Sequence, residues 1–198
     1  MNSLMNDSRF IFSPLAIHGV VSIRQKRIED SRGSLTRLFC AEELAKAGWT
    51  WPIAQINHTH TLRAGSVRGM HYQNMPNVEA KLITCLRGRL WDVAVDLRLG
   101  SPTFLHWCAL ELNAENLTAL LIPPGCAHGF QTLTDDVELL YAHSASYKEY
   151  AEDGLCPTDP RLGISWPLPI SEISDRDVGH PLVTQAFRGL NLPKDLSI

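Results

Sequence analysis

The chain has 198 residues, 44% hydrophobic and 20% charged, with 18 Lys and Arg against 21 Asp and Glu and a formal net charge of −3. That size and balance describe a soluble globular protein able to bury one substantial core, so one domain spanning residues 1–198 is expected. No basic block is present to hold nucleic acid, and no apolar run reaches membrane-spanning length, so neither kind of partner is expected.

Residues 1–9 are polar and no long apolar run follows them, so no leader is read. Residues 41–47 (A-E-E-L-A-K-A) form the clearest helical segment, closed by Gly48. Residues 81–98 contain two strand-like runs around the turn Arg87-Gly88-Arg89. In the second run Leu90, Asp92, Ala94 and Asp96 alternate with Trp91, Val93, Val95 and Leu97, the pattern of a half-buried strand. Residues 103–112 and 117–122 are further strands, and residues 131–133 and 137–141 flank the acidic turn Thr134-Asp135-Asp136. From residue 151 onward Pro, Asp and Gly are frequent, which predicts loops and short helices packed on the outside, with a helical turn within residues 171–177. The fold class is therefore all-β, a sandwich or barrel of antiparallel sheets with short helices in the C-terminal third. The five cysteines, Cys40, Cys85, Cys108, Cys126 and Cys156, are odd in number and lack C-x-x-C spacing. Cys85, Cys108 and Cys126 read as small buried hydrophobes, and the set implies a reduced, cytoplasmic setting.

Polar residues interrupt this apolar, strand-like sequence at a few places: Arg68-Gly69-Met70-His71-Tyr72-Gln73, Lys81, and Pro124-Gly125-Cys126-Ala127-His128-Gly129-Phe130 leading to Tyr141. Two histidines, a lysine and a tyrosine on neighbouring strands can remove a proton, return one, and hold the oxyanion formed in between. Proton transfer at a carbon beside a carbonyl needs those three roles. Imidazole titrates near neutrality in water, which suits it to accept such a proton. A lone strand histidine or buried tyrosine is more often structural; the R-G-M-H-Y-Q context of His71 favours chemistry.

These motifs resemble the dTDP-4-dehydrorhamnose 3,5-epimerase family, nucleotide-sugar epimerases with a cupin-like jelly-roll barrel. The matching elements are Asp30-Ser31-Arg32-Gly33, Gln55-Ile56-Asn57, Val67 to Gln73, Lys81-Leu82, Asp92 to Arg98, Ser101 to Phe104, Ile122 to Phe130, Tyr141, Asp159-Pro160, Ile164 to Pro167 and Ile173 to Asp177. The resemblance implies His71 as general base, Asp177 as its partner, Tyr141 as the acid on the opposite face of the sugar, and Lys81 at the enolate oxygen. It implies Arg32, Gln55, Asn57, Arg68, Gln73 and His128 around a nucleotide-sugar substrate, with Tyr147 stacking near the base. No redox cofactor or metal is needed, because the substrate's own carbonyl is the electron sink. N-terminal strands that cross to a partner subunit imply a homodimer.

The chain also departs from the family. Leu35 and Arg37 replace a phenylalanine and a glutamate, Ser146 replaces the first tyrosine of a pair, and Pro157 replaces a tryptophan. Arg37 is thereby expected at the nucleotide end of the site. A metal-dependent cupin using His58, His60 and His128 is the rival reading, although no glutamate follows His60 at a matching spacing. A binding protein without turnover is the other. His18, His106, His143 and His180 receive no role.

Overall fold

The computed structural model describes residues 8–193 and 196, so most of the polar opening segment read as carrying no leader lies outside the described residues. In chain order the strands are β1 (Phe10–Pro14), β2 (Val21–Gln25), β3 (Arg27–Asp30), β4 (Gly33–Thr36), β5 (Gln55–Thr61), β6 (Ser66–Gln73) and β7 (Lys81–Arg87). They continue as β8 (Arg89–Asp96), β9 (Trp107–Asn113), β10 (Thr118–Ile122), β11 (Cys126–Thr132), β12 (Val137–His143), β13 (Glu152–Gly154) and β14 (Glu172–Ile173). Helix α1 (Ala41–Leu44) runs into a 3-10 turn, Ala45–Ala47, that ends at Gly48 in the left-handed region (φ 99°), as expected from the sequence. Helix α2 is Asp175–Val178.

Two sheets face each other as a jelly roll: a six-stranded antiparallel one in the order β1-β2-β10-β7-β12-β5, and a second, called five-stranded for its antiparallel path β13-β6-β11-β8-β9, to which β14 adds a sixth strand beside β6. Strand β14 pairs in parallel with β6, and β3 and β4 form a separate hairpin. Ile83, Leu90, Leu112, Leu120, Ile122, Phe130 and Leu139 fill the space between the sheets. Burying side chains of this size contributes roughly 2 kcal/mol each. Both outer faces are also covered: α1 and Trp49 lie over the six-stranded sheet, and Leu155, Leu162, Val183 and Leu190 over the five-stranded one.

That outer cover corrects the half-buried reading of β8. Leu90, Asp92, Ala94 and Asp96 are buried, and so are Val93 and Val95 on the opposite face, because the C-terminal segments pack against it. The strand expected over residues 103–112 starts later, at Trp107. Thr103 turns back instead, and its hydroxyl donates to Asp96 at 2.6 Å. Burial pushes the thiols of Cys85 and Cys108 up to about 12 and about 11, and all five cysteines are free.

Asp96 ties the β8–β9 connection together. Its carboxylate accepts from Arg98 Nε and Nη2, each at 2.8 Å, from Ser101 Oγ at 2.6 Å and from Thr103 Oγ1. Burial alone would raise its pKa, but the Arg98 and hydroxyl hydrogen bonds hold it at about 2 against an ordinary 3.8. A depressed carboxyl stabilises the fold above its unfolded pKa and loses that effect as pH falls through the folded one. Asp96→Asn should therefore cost about 3 kcal/mol at pH 7, the scale of a broken buried pair. Denaturant titration should show that deficit shrinking as the pH falls from 4 towards 2; a pH-independent deficit would count against the charge as its cause.

Candidate active site

A cavity of about 570 Å³ opens between the two sheets. Its five-stranded wall is shaped by a close approach of β6 and β11. His71 is paired with His128 and Arg68 with Phe130, so three steps on β6 match two on β11. That extra residue is a β-bulge. It puts Arg68 and His71 on one face, which strict alternation would have separated. Only glycine fits at the crossing: a Cβ on Gly69 (φ +122°) would stand 2.5 Å from Gly129 Cα and 2.8 Å from the His128 carbonyl oxygen.

The Gly69 amide donates to Asp177 Oδ2 at 3.1 Å, and His71 Nε2 lies 2.8 Å from Asp177 Oδ1. Ser174 caps α2 by accepting from the Asp177 amide at 3.1 Å, which fixes that carboxylate in place. Burial pushes the Asp177 carboxyl up, but the hydrogen bonds from His71 and the Gly69 amide outweigh it and keep the group below its usual range. An ionised carboxylate only accepts, so His71 carries its proton on Nε2 and leaves the Nδ1 lone pair free to act as a base.

His128 sits beside it, buried, with Nε2 2.6 Å from Asp92 Oδ1. Burial pushes its imidazole below the ordinary range despite that carboxylate, so the ring stays neutral. Tyr141 faces it from the six-stranded sheet, edge-on at 5.8 Å, and burial pushes its phenol up, keeping it a proton donor. Lys81 reaches from β7 across to the backbone of β6, donating to the His71 carbonyl at 3.1 Å, and pairs with Glu79 Oε1 at 3.2 Å.

The remaining predicted residues divide. Arg68 donates to Thr61 Oγ1 at 3.1 Å, and Gln55 Nε2 donates to Asn57 Oδ1 at 3.0 Å, all on the cavity wall. Gln73 also lines the cavity, but its side chain bonds backbone: Nε2 to the Asn77 carbonyl and Oε1 to the Lys148 amide. It therefore holds the loop carrying Tyr147, whose hydroxyl donates to Glu152 at 2.8 Å and whose amide donates to Gln55 Oε1 at 2.9 Å. Arg32 lies outside the cavity, on the β3–β4 hairpin, bonded to Asp30 with its side chain 87% exposed. Arg37, expected at the nucleotide end, pairs with Glu43 of α1 at 2.6 Å and does not line the cavity of its own chain.

The proposed metal trio is not gathered: His58 contacts Glu138 and His60 contacts Asp136, each at 3.1 Å, while His128 is bonded to Asp92. Among the described residues, His71, Asp177 and His180 bring potential ligand atoms within 4.8 Å of one another. A direct hydrogen bond already joins two of them. Sequence reasoning missed Asp92, Glu79 and His143 as site residues. The i, i+2 spacing from Lys81 and Tyr141 is the signal that would have found the latter two, since alternate strand residues share a face.

Comparisons with known proteins identify the family. Residues 14–185 match the family model for dTDP-4-dehydrorhamnose 3,5-epimerase. The chain is 38% identical over 171 residues to the dTDP-4-dehydrorhamnose 3,5-epimerase of Sinorhizobium fredii, covering 86% of this chain and 88% of that one. It is 40% identical over 177 residues to the dTDP-4-dehydro-6-deoxyglucose 3-epimerase of Streptomyces bikiniensis, covering 88% and 90%. The crystal structure of dTDP-6-deoxy-D-glucose-3,5-epimerase from Legionella pneumophila, in complex with dTDP-4-keto-L-rhamnose, superposes with a TM-score of 0.86 at 32% identity over 93% of this chain and 99% of that one. The chain belongs to the dTDP-4-dehydrorhamnose 3,5-epimerase family.

Proposed function

We infer that this chain is an isomerase that epimerises a nucleotide-linked 4-keto-6-deoxyhexose at C3, C5 or both. The observation that carries the chemistry is one cavity lined by an oriented base, His71–Asp177, on one sheet and a protonated phenol, Tyr141, on the other, with Lys81 reaching between the sheets. The C4 ketone acidifies the protons on both neighbouring carbons. His71 Nδ1 takes one of them, and the bonding electrons move onto the C4 oxygen as an enolate. Lys81, itself buried, stabilises that oxyanion at a position where an ammonium acts more strongly than in bulk water. Tyr141 then returns a proton to the other face, inverting the centre.

Arg68, Gln55, Asn57 and Tyr147 would contact the diphosphate, sugar and base. A dTDP carrier is favoured because solved relatives are described with dTDP-4-keto-L-rhamnose and with dTDP-quinovose bound. Arg32 reaches a site only if the β3–β4 hairpin enters the cavity of a second copy. The hairpin's exposed Ile28 and Leu35 support that homodimer, with residues 1–198 of each copy acting as one domain. Five unpaired thiols support a reduced, cytoplasmic setting, and none of the helices described is long and apolar enough to cross a membrane.

In deuterated water, a dTDP-linked 4-keto-6-deoxyhexose should take up deuterium at the epimerised carbon. His71→Ala should abolish that exchange, and Tyr141→Phe should slow net epimerisation about 10²-fold or more while exchange by His71 stays measurable. Absence of exchange across a panel of 4-keto sugar nucleotides would contradict the reading, and equal loss of both activities in the tyrosine variant would contradict its role. Calorimetric titration with dTDP, UDP, CDP and GDP should favour dTDP. Because Arg37 sits on Glu43, Arg37→Glu should leave that preference unchanged; a tenfold loss would place Arg37 at the nucleotide.

A further inference from the structure

His143 lines the cavity but takes no part in the proton transfers inferred above. It follows Tyr141 by two residues on β12, so the two share a face. Their rings stack, with centroids 6.0 Å apart and planes 18° from parallel. Within the sheet His143 stands opposite Lys81 of β7 on one side and Gln55 of β5 on the other. Gln55 in turn accepts from the Tyr147 amide. The imidazole therefore lies one strand step beyond Tyr141, toward the end where the nucleotide is proposed.

Glu79 orients that ring. Its Oε2 lies 2.9 Å from His143 Nδ1, and its Oε1 pairs with Lys81 at 3.2 Å. Burial pushes the Glu79 carboxyl up, but the Lys81 ammonium and the His143 hydrogen bond outweigh it, so the group stays ionised. A carboxylate accepts and does not donate, so the neutral ring carries its proton on Nδ1 and its lone pair on Nε2. Nε2 meets Asn57 Nδ2 at 3.5 Å, the outer limit of a hydrogen bond. It is an oriented acceptor with a weak partner, on a side chain only 12% exposed, where an unmade hydrogen bond is costly.

The hexose offers few donors to such an acceptor. C4 carries the carbonyl, C5 the ring oxygen and C6 a methyl group, which leaves the hydroxyls on C2 and C3. A hydroxyl on C3 changes face when that centre inverts, so an acceptor fixed on it would hold one epimer only. The C2 hydroxyl keeps its configuration throughout. It also lies between C3 and the nucleotide-bearing C1, as His143 lies between Tyr141 and the Gln55–Tyr147 end of the cavity.

We propose that His143, oriented by Glu79, is a specificity-determining residue whose Nε2 accepts a hydrogen bond from the C2 hydroxyl of the sugar. No proton is transferred there. With Lys81 at the C4 oxygen and His143 at the C2 hydroxyl, the ring is held on both sides of C3, beside Tyr141. The substrate class is thereby narrowed to 4-keto-6-deoxyhexoses that keep the C2 hydroxyl.

This proposal rests on the epimerase reading, and the test separates the two. Deuterium uptake from solvent is measured for a dTDP-linked 4-keto-6-deoxyhexose and for its 2-deoxy-2-fluoro analogue, whose fluorine cannot donate a hydrogen bond. Fluorine also acidifies the neighbouring C–H, equally for every form of the enzyme, so the quantity compared is the ratio of kcat/KM for the two sugars. His143→Phe keeps a ring against Tyr141 but has no acceptor, and His143→Leu is a second arm. In both variants the ratio of hydroxyl sugar to fluoro sugar should fall about tenfold or more. A disturbance passed through Glu79 to Lys81 would slow both sugars alike. A smaller change in the ratio, whether both sugars lose together or neither does, overturns the proposal. Should neither variant keep its thermal transition, the NMR shift of the His143 Nε2 nitrogen in the wild type decides: it should move to its hydrogen-bonded value with the hydroxyl sugar alone, and the same shift with both sugars overturns the proposal. A wild-type protein that exchanges neither sugar would overturn the epimerase reading itself.

Discussion

The close contact of β6 with β11 sets most of the geometry on which the site depends. Gly69 lies against Gly129 with no room for a side chain on Gly69. The bulge this contact accommodates turns Arg68 and His71 onto one face and sets His71 beside His128. The same stretch of backbone presents the Gly69 amide to Asp177, so the residue that shapes the strand also anchors the partner of the base. Replacing Gly69 would disturb a base, its orienting carboxylate and a neutral histidine at once.

Around that contact, three of the imidazoles lining the cavity are paired with carboxylates in different environments. His71 with Asp177 is partly open to solvent, its ring 31% exposed, and has a free nitrogen to work with. His128 with Asp92 is sealed in the core and kept neutral by burial, which suits it to orient a neighbour or a hydroxyl and not to exchange protons with solvent. His143 with Glu79 is linked to Lys81, so the cation proposed for the enolate and the second imidazole share one counter-charge. Covering both outer faces of the sheets excludes water from behind these pairs, which strengthens their mutual electrostatics.

Much of this was legible in the sequence because short strands with alternating patterns punctuated by Gly, Pro and Asp specify an all-β fold, and because the motifs around His71 and His128 are dense. The helical segment ending at Gly48 was legible for the same local reasons. What escaped was set by tertiary cover and by irregularity. The double burial of β8 depends on residues such as Val183 and Leu190, nearly one hundred positions away in the chain and without strand periodicity of their own. The shared face of Arg68 and His71 depends on a bulge that alternation cannot anticipate. Arg37, a departure from the family, pairs with Glu43 of the adjacent helix, a contact that no local sequence pattern announces. Glu79 and His143 were passed over because each is unremarkable alone; only their convergence on Lys81 makes them a set.

In the proposed reaction the reacting carbon sits between His71 on one sheet and Tyr141 on the other. A crystal structure of the protein with a dTDP-linked 4-keto-6-deoxyhexose, or its reduced 4-hydroxy analogue, tests this directly. C3 or C5 should lie within about 3.5 Å of His71 Nδ1 on one face and of the Tyr141 hydroxyl on the other, with the C4 oxygen at Lys81. A sugar ring seated with both residues on the same face, or with its C4 oxygen away from Lys81, would contradict it.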